Sequence, residues 1–591
     1  METVHLKINN IPVEVPQGYT ILQAAKVANV EIPTLCYLKD INCIGACRVC
    51  MVEAQKDGRP LRGLLAACVY PVEEGLEVFT NTPAVIKSRK TTLELLLSNH
   101  NKKCLSCVRN QTCELQKLAA EYGVDEDRFP SEEPRYEIDD VSPYIVRDNN
   151  KCINCMRCVA ACKNVQSISV IGAIQRGFSA HVGSAFDKSL NNAPCVGCGQ
   201  CVVSCPVGAL TEKSQEDKVW EAIADPKKQV LFFTAPSIKA TLGEAFGMPI
   251  GTNVEGKMAA AIKRLGANVK AFNMDFTADL TIIEEANELV RRIKNGDTLP
   301  MFTSCCPAWV KFVEHYYPEF MPNLSTCKSP QAMFGAVLKG YYCEKNNIDP
   351  KDVFVVSVIP CTAKKFEATR PQLRSNEAFD DVDVALTTRE LARMIKRAAI
   401  NFADLQEEDY DAPFNKATGG GIIFGATGGV LEAALRTAAR LLDGEFKKVD
   451  FEEVRGPEAV REVTYEIAGN KITVAVTSGL ANARMLLEKL KKGEANFQML
   501  EVMSCPGGCI NGGGQPTRSD SVSNFVDYKA LRSQALYDLD KNSEFRVCDD
   551  SPLIKMIYDE YFEAPGAEKA HHYLHTSYTA RGKYYTGFGL T

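Results

Sequence analysis

No stretch of the sequence approaches the ~18 consecutive apolar residues that a helix needs to cross a bilayer. The opening METVHLKINN lacks the charged-then-apolar pattern of a secretory leader, and a twin-arginine signal is missing too. Both absences predict a cytoplasmic protein with no membrane partner. Basic charge is not in excess: 68 Lys and Arg face 74 Asp and Glu, a net charge of -6. That excludes general nucleic-acid binding, which depends on Lys and Arg meeting phosphates. There is no Gly-rich dinucleotide fingerprint and no flavin motif, so nicotinamide chemistry would need partner subunits. The run Thr418–Gly429 is glycine-rich but lacks the Lys-Ser/Thr ending of a phosphate loop, and it predicts close packing instead.

What the sequence has in excess is cysteine, 24 in 591 residues. A chain of this length buries a large core without disulfides or metals. At about 100–200 residues per domain, it predicts roughly three to five domains. Eight cysteines fall in the first 113 residues and eight more between Cys152 and Cys205, mostly in pairs two residues apart. Disulfide frameworks belong to short secreted chains, so this spacing predicts metal clusters.

The expected architecture is a multidomain α+β and α/β chain. Residues 1–80 open with a hairpin signal around Asn9-Asn10, then a helical stretch, then Cys36, Cys47, Cys50 and Cys68. One tight pair preceded by Gly45 suits a β-grasp, ferredoxin-like cradle for a 2Fe-2S cluster, with a four-cysteine zinc site as the rival. Cys43 is a spare thiol. Residues 81–125 carry a helix over Ala84–Ser98 and then His100, Cys104, Cys107 and Cys113. Taken alone, three thiols and one imidazole fit zinc and 4Fe-4S about equally; the neighbouring modules favour 4Fe-4S. Replacing a thiolate by imidazole removes negative charge and should raise the potential.

Residues 126–215 begin in an acidic linker and then repeat one pattern: Cys152, Cys155, Cys158, Cys162, and Cys195, Cys198, Cys201, Cys205. The doubled spacing is the two-cluster ferredoxin signature, in which the fourth Cys of each motif serves the other cluster. One 4Fe-4S cluster should take Cys152, Cys155, Cys158 and Cys205; the other, Cys162, Cys195, Cys198 and Cys201. Residues 216–591 turn to an α/β texture large enough for two lobes, with strands expected at Gln229–Thr234, Val353–Ile359 and Lys471–Thr477.

Three segments in that part place Cys at the end of an apolar run or at a Pro/Gly turn. They are TSCCPAW (residues 303–309), IPCTAKKFE (359–367) and EVMSCPGGCINGGGQP (501–516). Lys364, close to a buried-looking Cys, needs an anionic partner, and an anionic cofactor would supply it.

These segments resemble the three active-site signatures of the FeFe-hydrogenases, and the N-terminal modules match the larger, multi-cluster members. The resemblance covers essentially the whole chain. It implies reversible H2 oxidation and proton reduction at an H-cluster: a 4Fe-4S unit joined to a di-iron subsite with CO, cyanide and a bridging azadithiolate. It implies Cys306, Cys361, Cys505 and Cys509 as ligands, with Cys509 bridging to the di-iron subsite. Lys364 should hydrogen-bond a cyanide. Ala235, Pro236, Ser237, Gln331 and Met503 should line the pocket. Cys305 should pass protons, reached through Glu285, Ser325, Glu288 and Arg292. Glu285, Glu288 and Arg292 share one helix face; without the motifs they would read as a solvated charged face. Ile359 departs from the Met that many members have before this Pro-Cys, keeping bulk but losing the thioether.

Electrons should leave through four accessory clusters, one 2Fe-2S and three 4Fe-4S, to ferredoxin, to flavin- and NAD-binding partner subunits, or to both. The family also implies maturation proteins that build the di-iron subsite. The rival readings are an iron–sulfur relay subunit like that of respiratory complex I, a hydrogenase-like iron–sulfur assembly protein and a sensory hydrogenase. His571-His572-x2-His575 could bind metal but reads as a solvated or packed tail, and Trp309, Tyr573, Tyr578, Tyr584 and Tyr585 read as packing. Cys327, Cys343 and Cys548 join Cys43 as spares.

Overall fold

The computed structural model describes all residues except 1, 131–134, 443, 445–447, 457, 468 and 583–591. Tyr584 and Tyr585, and residues 131–134 of the expected linker, therefore lie outside the described residues. None of the described helices is long and apolar enough to cross a membrane.

The first strands form where alternating apolar residues can face one side. In Thr3–Ile8, Val4, Leu6 and Ile8 point inward and their neighbours outward. Asn9 (φ 48°) and Asn10 (φ 68°) make the two-residue turn that returns the chain antiparallel as Ile11–Pro16. Thr20 then caps the helix Ile21–Val27 reciprocally with Gln23. The sheet is completed by Leu76–Phe79, parallel to the first strand, and Met51–Lys56, antiparallel to Leu76–Phe79. The helix Pro83–Ser98 starts at Thr82, whose hydroxyl accepts from the Val85 amide, with proline at the first helical position.

The ferredoxin-like repeat is structural as well as sequential. Asn154 (φ 52°) and Met156 (φ 62°) in the first motif match Gly197 (φ 71°) and Gly199 (φ 70°) in the second. Each left-handed pair leads into a one-turn helix carrying the third cysteine, Arg157–Ala160 or Gln200–Ser204. Left-handed Asn and Met cost strain that glycine does not, so the same loop shape is kept in the first motif against local preference.

The large part holds two four-stranded sheets. One is all parallel, in the order Val269–Asn273, Gln229–Thr234, Val353–Ile359, Val384–Thr387. The other runs Met301–Phe302, Met499–Met503, Asn470–Ser478, with Val460–Ile467 antiparallel at its edge. Gln229–Thr234, Val353–Ile359 and Met499–Met503 are buried on both faces, which accounts for their continuous apolar runs. The long helix Asp275–Asn295 is buried along most of its length, carboxylates included.

The ferredoxin-like part seats directly on the large part. Thr362 Oγ1 donates to the Gly197 carbonyl at 2.6 Å, and Gln200 Nε2 to the Asn511 carbonyl at 3.0 Å. A Cβ on Gly513 would lie 2.6 Å from both the Cys198 carbonyl oxygen and the Gly199 Cα. Gly513→Ala should therefore push the two parts apart and cost about 1–3 kcal/mol. Thermal unfolding of the purified variant checks this; an unshifted midpoint would contradict the close approach.

Candidate metal centre

Four segments reach one cavity because each follows the carboxyl end of a parallel strand, where an open α/β sheet leaves a crevice. Ala235-Pro236-Ser237 follows Gln229–Thr234, and Cys305-Cys306 follows Met301–Phe302. Pro360-Cys361 follows Val353–Ile359, and Ser504-Cys505 follows Met499–Met503. The cavity is lined by Cys305, Cys306, Cys361, Cys505 and Cys509. Ala235, Pro236, Ser237, Gln331, Ile359, Lys364 and Met503 join them, with Phe424 and Gly425 from the glycine-rich run. Cys198 of the ferredoxin-like repeat reaches the same lining.

The sulfurs feel one another. Burial pushes the Cys361 thiol up to about 12, and the charge of Cys306 adds to it. Cys505 and Cys509 rise for the same reasons, burial first and then neighbouring thiols. Thiolates in so dry a place need bound cations. Lys364 pairs with a carboxylate of the chain itself, Glu367, at 2.8 Å. Glu367 also accepts from Ser329 (2.8 Å) and Gln331 (3.0 Å), so it fixes two lining side chains, Lys364 and Gln331, at once.

Behind Cys305 runs a line of buried polar groups. The Ser304 amide approaches Glu285 Oε1 at 3.4 Å, and Ser325 Oγ donates to Glu288 Oε2 at 2.8 Å. Arg292 binds Glu288 Oε1 at 2.6 Å. Burial, and then the charge of Glu288, push Glu285 up to about 8. Cys305 is raised by burial and next by Glu285.

Residues 228–513 match the family described as iron only hydrogenase large subunit, C-terminal domain, and 526–581 match iron hydrogenase small subunit. Residues 1–83 match a 2Fe-2S iron-sulfur cluster binding domain. Residues 89–128 match the NADH-ubiquinone oxidoreductase-G iron-sulfur binding region, and 142–211 match the ferredoxin-like domain of NADH-quinone oxidoreductase subunit 3. The NADP-reducing hydrogenase subunit HndD of Solidesulfovibrio fructosivorans is 46% identical over 98% of this chain and 100% of its own. Iron hydrogenase 1 of Clostridium pasteurianum is 40% identical over 97% and 99%. The chain belongs to the FeFe-hydrogenases.

A solved apo FeFe-hydrogenase of Chlamydomonas reinhardtii, 36% identical, superposes on 62% of this chain and 99% of its own with a TM-score of 0.56. Cytosolic iron-sulfur assembly component 3 of Bos taurus is a more distant relative, 31% identical over 67% and 85%. The hydrogenase interconverts H2 with protons and electrons, and its cofactors are an H-cluster, one 2Fe-2S cluster and three further 4Fe-4S clusters.

The residues present fit these groups. Among the described residues, the only three ligand-type side chains within 4.8 Å of one another are Glu288, Cys327 and His575. A lone zinc, with bonds of about 2.3 Å, would draw its sulfurs to about 3.8 Å. The cysteine sets are wider, as a cluster that spreads its ligands over several irons allows. Cys36, Cys47, Cys50 and Cys68 perturb one another's thiols, and the Cys47 amide donates to Cys36 Sγ at 3.5 Å, so the four side chains face one another. His100 is buried and its Nδ1 has no hydrogen-bond partner; burial pulls it down to about 4, which keeps a lone pair free for metal. Two buried cations sit beside cysteines with no carboxylate at ion-pair distance. Lys311 touches the Tyr144 hydroxyl at 3.1 Å, and Arg109 donates to the Cys205 carbonyl at 3.1 Å. An anionic cluster beside each meets the charge balance that burial demands.

Several groups here escaped the sequence reading. Lys311 and Arg109 carry no motif, Glu367 is masked by an ordinary helix, and Ser304 sits inside a cysteine signature. Of the tail histidines, His575 is packed inside the fold, beside Glu284 and Thr326, and His571 and His572 are exposed. Trp309 and Tyr578 are packed as expected, and Cys43 is exposed while Cys327, Cys343 and Cys548 are buried.

Two outcomes follow. Removing the Lys311 charge by Lys311→Met should lower the potential of the neighbouring cluster by roughly 50 mV, read by a redox titration followed by electron paramagnetic resonance. Glu285 favours its neutral form in the fold, whereas in the unfolded chain it is already ionised near neutrality. Stability should therefore fall as pH rises from about 6 to about 8, by about 2 kcal/mol more in the parent than in Glu285→Gln. Denaturant unfolding at both pH values checks the sign.

Proposed function

We propose that Cys306, Cys361, Cys505 and Cys509 hold the cubane of the H-cluster, with Cys509 also joined to the di-iron subsite. The observation that carries this is the meeting of these thiols, from three distant segments, in one dry cavity with Cys305 and Lys364. When bound, the group supplies an open iron site at which H2 is split or formed. The side chains do the rest. Ala235, Pro236, Ser237, Gln331 and Met503 exclude water, and Lys364 offers a donor held in place by Glu367. Cys305, kept protonated by burial, exchanges protons with the reacting group, and Glu285, Ser325 and Glu288 lead away from it.

Four modules, 1–80, 81–125, 126–215 and 216–591, then divide the electron path. Cys36, Cys47, Cys50 and Cys68 take the 2Fe-2S cluster, and His100, Cys104, Cys107 and Cys113 a 4Fe-4S cluster. Asn42 Nδ2 bridges the Cys36 (2.7 Å) and Cys155 (3.1 Å) carbonyls, and Arg109 ties the histidine-bearing module to Cys205. Both entry routes thus meet the cluster of Cys152, Cys155, Cys158 and Cys205. The cluster of Cys162, Cys195, Cys198 and Cys201 adjoins the active site.

The electron partner is read as a separate nicotinamide-binding subunit, supported by full-length similarity to a subunit of an NADP-reducing hydrogenase. Ferredoxin, alone or as a second acceptor, is the competing partner. Twenty-four free cysteines favour a reducing, cytoplasmic setting in which maturation proteins insert the di-iron subsite. A purely assembly-related role, suggested by the relative in Bos taurus, leaves Cys305, Lys364 and the buried carboxylate line without a use.

Infrared bands of metal-bound CO and cyanide should be present in the matured protein. Cys305→Ser should keep those bands and lose nearly all turnover; normal turnover would end its proton role. Native co-purification with H2:NAD(P) and H2:ferredoxin assays should recover nicotinamide-linked activity. Ferredoxin-only activity would assign the other partner.

A further inference from the structure

The relay away from Cys305 needs an outer end that gains and loses protons. Arg292 does not meet that need, because a guanidinium keeps its proton at any pH the enzyme meets. It is also fully tied down. Besides Glu288, it donates to the carbonyls of Thr298 (3.1 Å), Pro322 (3.2 Å), Asn323 (3.4 Å) and Leu324 (2.9 Å).

A titratable group does reach Glu288 from the other side, and it comes from the C-terminal segment. The chain around His575 pairs antiparallel with Cys327. The Thr576 amide donates to the Thr326 carbonyl at 2.8 Å and the Lys328 amide to the Leu574 carbonyl at 2.7 Å. This backbone pairing sets the imidazole between two buried carboxylates. His575 Nδ1 lies 2.8 Å from Thr326 Oγ1, which donates to Glu288 Oε2 at 3.3 Å. Nε2 lies 3.1 Å from Glu284 Oε2, and Glu284 is held in turn by the Tyr558 hydroxyl and the Gly566 amide. The His575 side chain is only 7% exposed, while His571, stacked on it at 4.7 Å, is exposed to solvent.

We propose that His575, through the Thr326 hydroxyl, carries protons between solvent and Glu288, and that Arg292 anchors Glu288 without relaying. This rests on the proton path read above. In the inward step, the Nδ1 proton of His575 passes to Thr326 Oγ1 as the Thr326 hydroxyl proton passes to Glu288 Oε2. The ring regains a proton at Nε2 from the Glu284 side, and no electron moves. Imidazole is suited to this because it takes a proton at one nitrogen and gives one from the other near neutrality.

The test uses the matured holoenzyme. His575→Gln keeps hydrogen-bonding capacity but ends proton transit. H2 oxidation and evolution should fall about tenfold or more, with a larger solvent deuterium isotope effect. Added imidazole should restore much of the rate, and the CO and cyanide bands should match the parent. Thr326→Val should show the same loss, and Thr326→Ser should recover most of it. Turnover of His575→Gln within about twofold of the parent would overturn the proposal. So would a loss that imidazole does not rescue, or one accompanied by shifted bands, since either reports a structural role. The parent's bands, recorded alongside, distinguish a failed relay from a missing active site.

Discussion

A thiolate stays charged in a dry interior only when a cation is bonded to it, and this chain buries many thiols at once. Around the cysteine-lined cavity the sulfurs push one another toward the neutral form, so the arrangement makes sense with metal in place. The rest of the molecule answers to that constraint. Parallel strands end where the cysteines must begin, because only the carboxyl edges of the two sheets bring three distant segments together. Buried Lys311 and Arg109 stand beside cysteines with no carboxylate of their own, as they would beside an anionic cluster.

The same economy of space governs the joint between modules. Backbone meets backbone where Gly513 faces Cys198 and Gly199, and no side chain fits between. Close approach of this kind shortens the distance an electron must cross. Asn42 does the equivalent at the far side, holding the carbonyls of Cys36 and Cys155 with one amide group. The left-handed Asn154 and Met156 show that loop shape is kept even where glycine is absent.

The proposed proton path is made of the opposite material. Glu284, Glu285 and Glu288 are all buried on one helix, each served by a different set of partners. Glu284 faces Tyr558 and His575, Glu285 faces Ser304, and Glu288 faces Ser325, Thr326 and Arg292. Ionisable groups in such a place are expensive unless paired, which makes their clustering here a functional statement more than a stabilising one.

Much was legible in the sequence because cluster chemistry fixes spacing locally: the doubled four-cysteine pattern, the three cysteine signatures and the strands that lead into them are all short-range. The hairpin at Asn9-Asn10 was likewise readable from its turn residues, and the helix over Ala84–Ser98 from its local pattern, while its Thr82 cap was not read. What the sequence could not carry was pairing between segments hundreds of residues apart. Glu367 as the partner of Lys364, Lys311 beside Cys195, and His575 wedged against Thr326 depend on which surfaces meet, and no local periodicity records that. Motif spacing is set by bonds along one stretch of chain, whereas charge balance and proton connectivity are set by whichever buried groups the finished packing leaves facing each other.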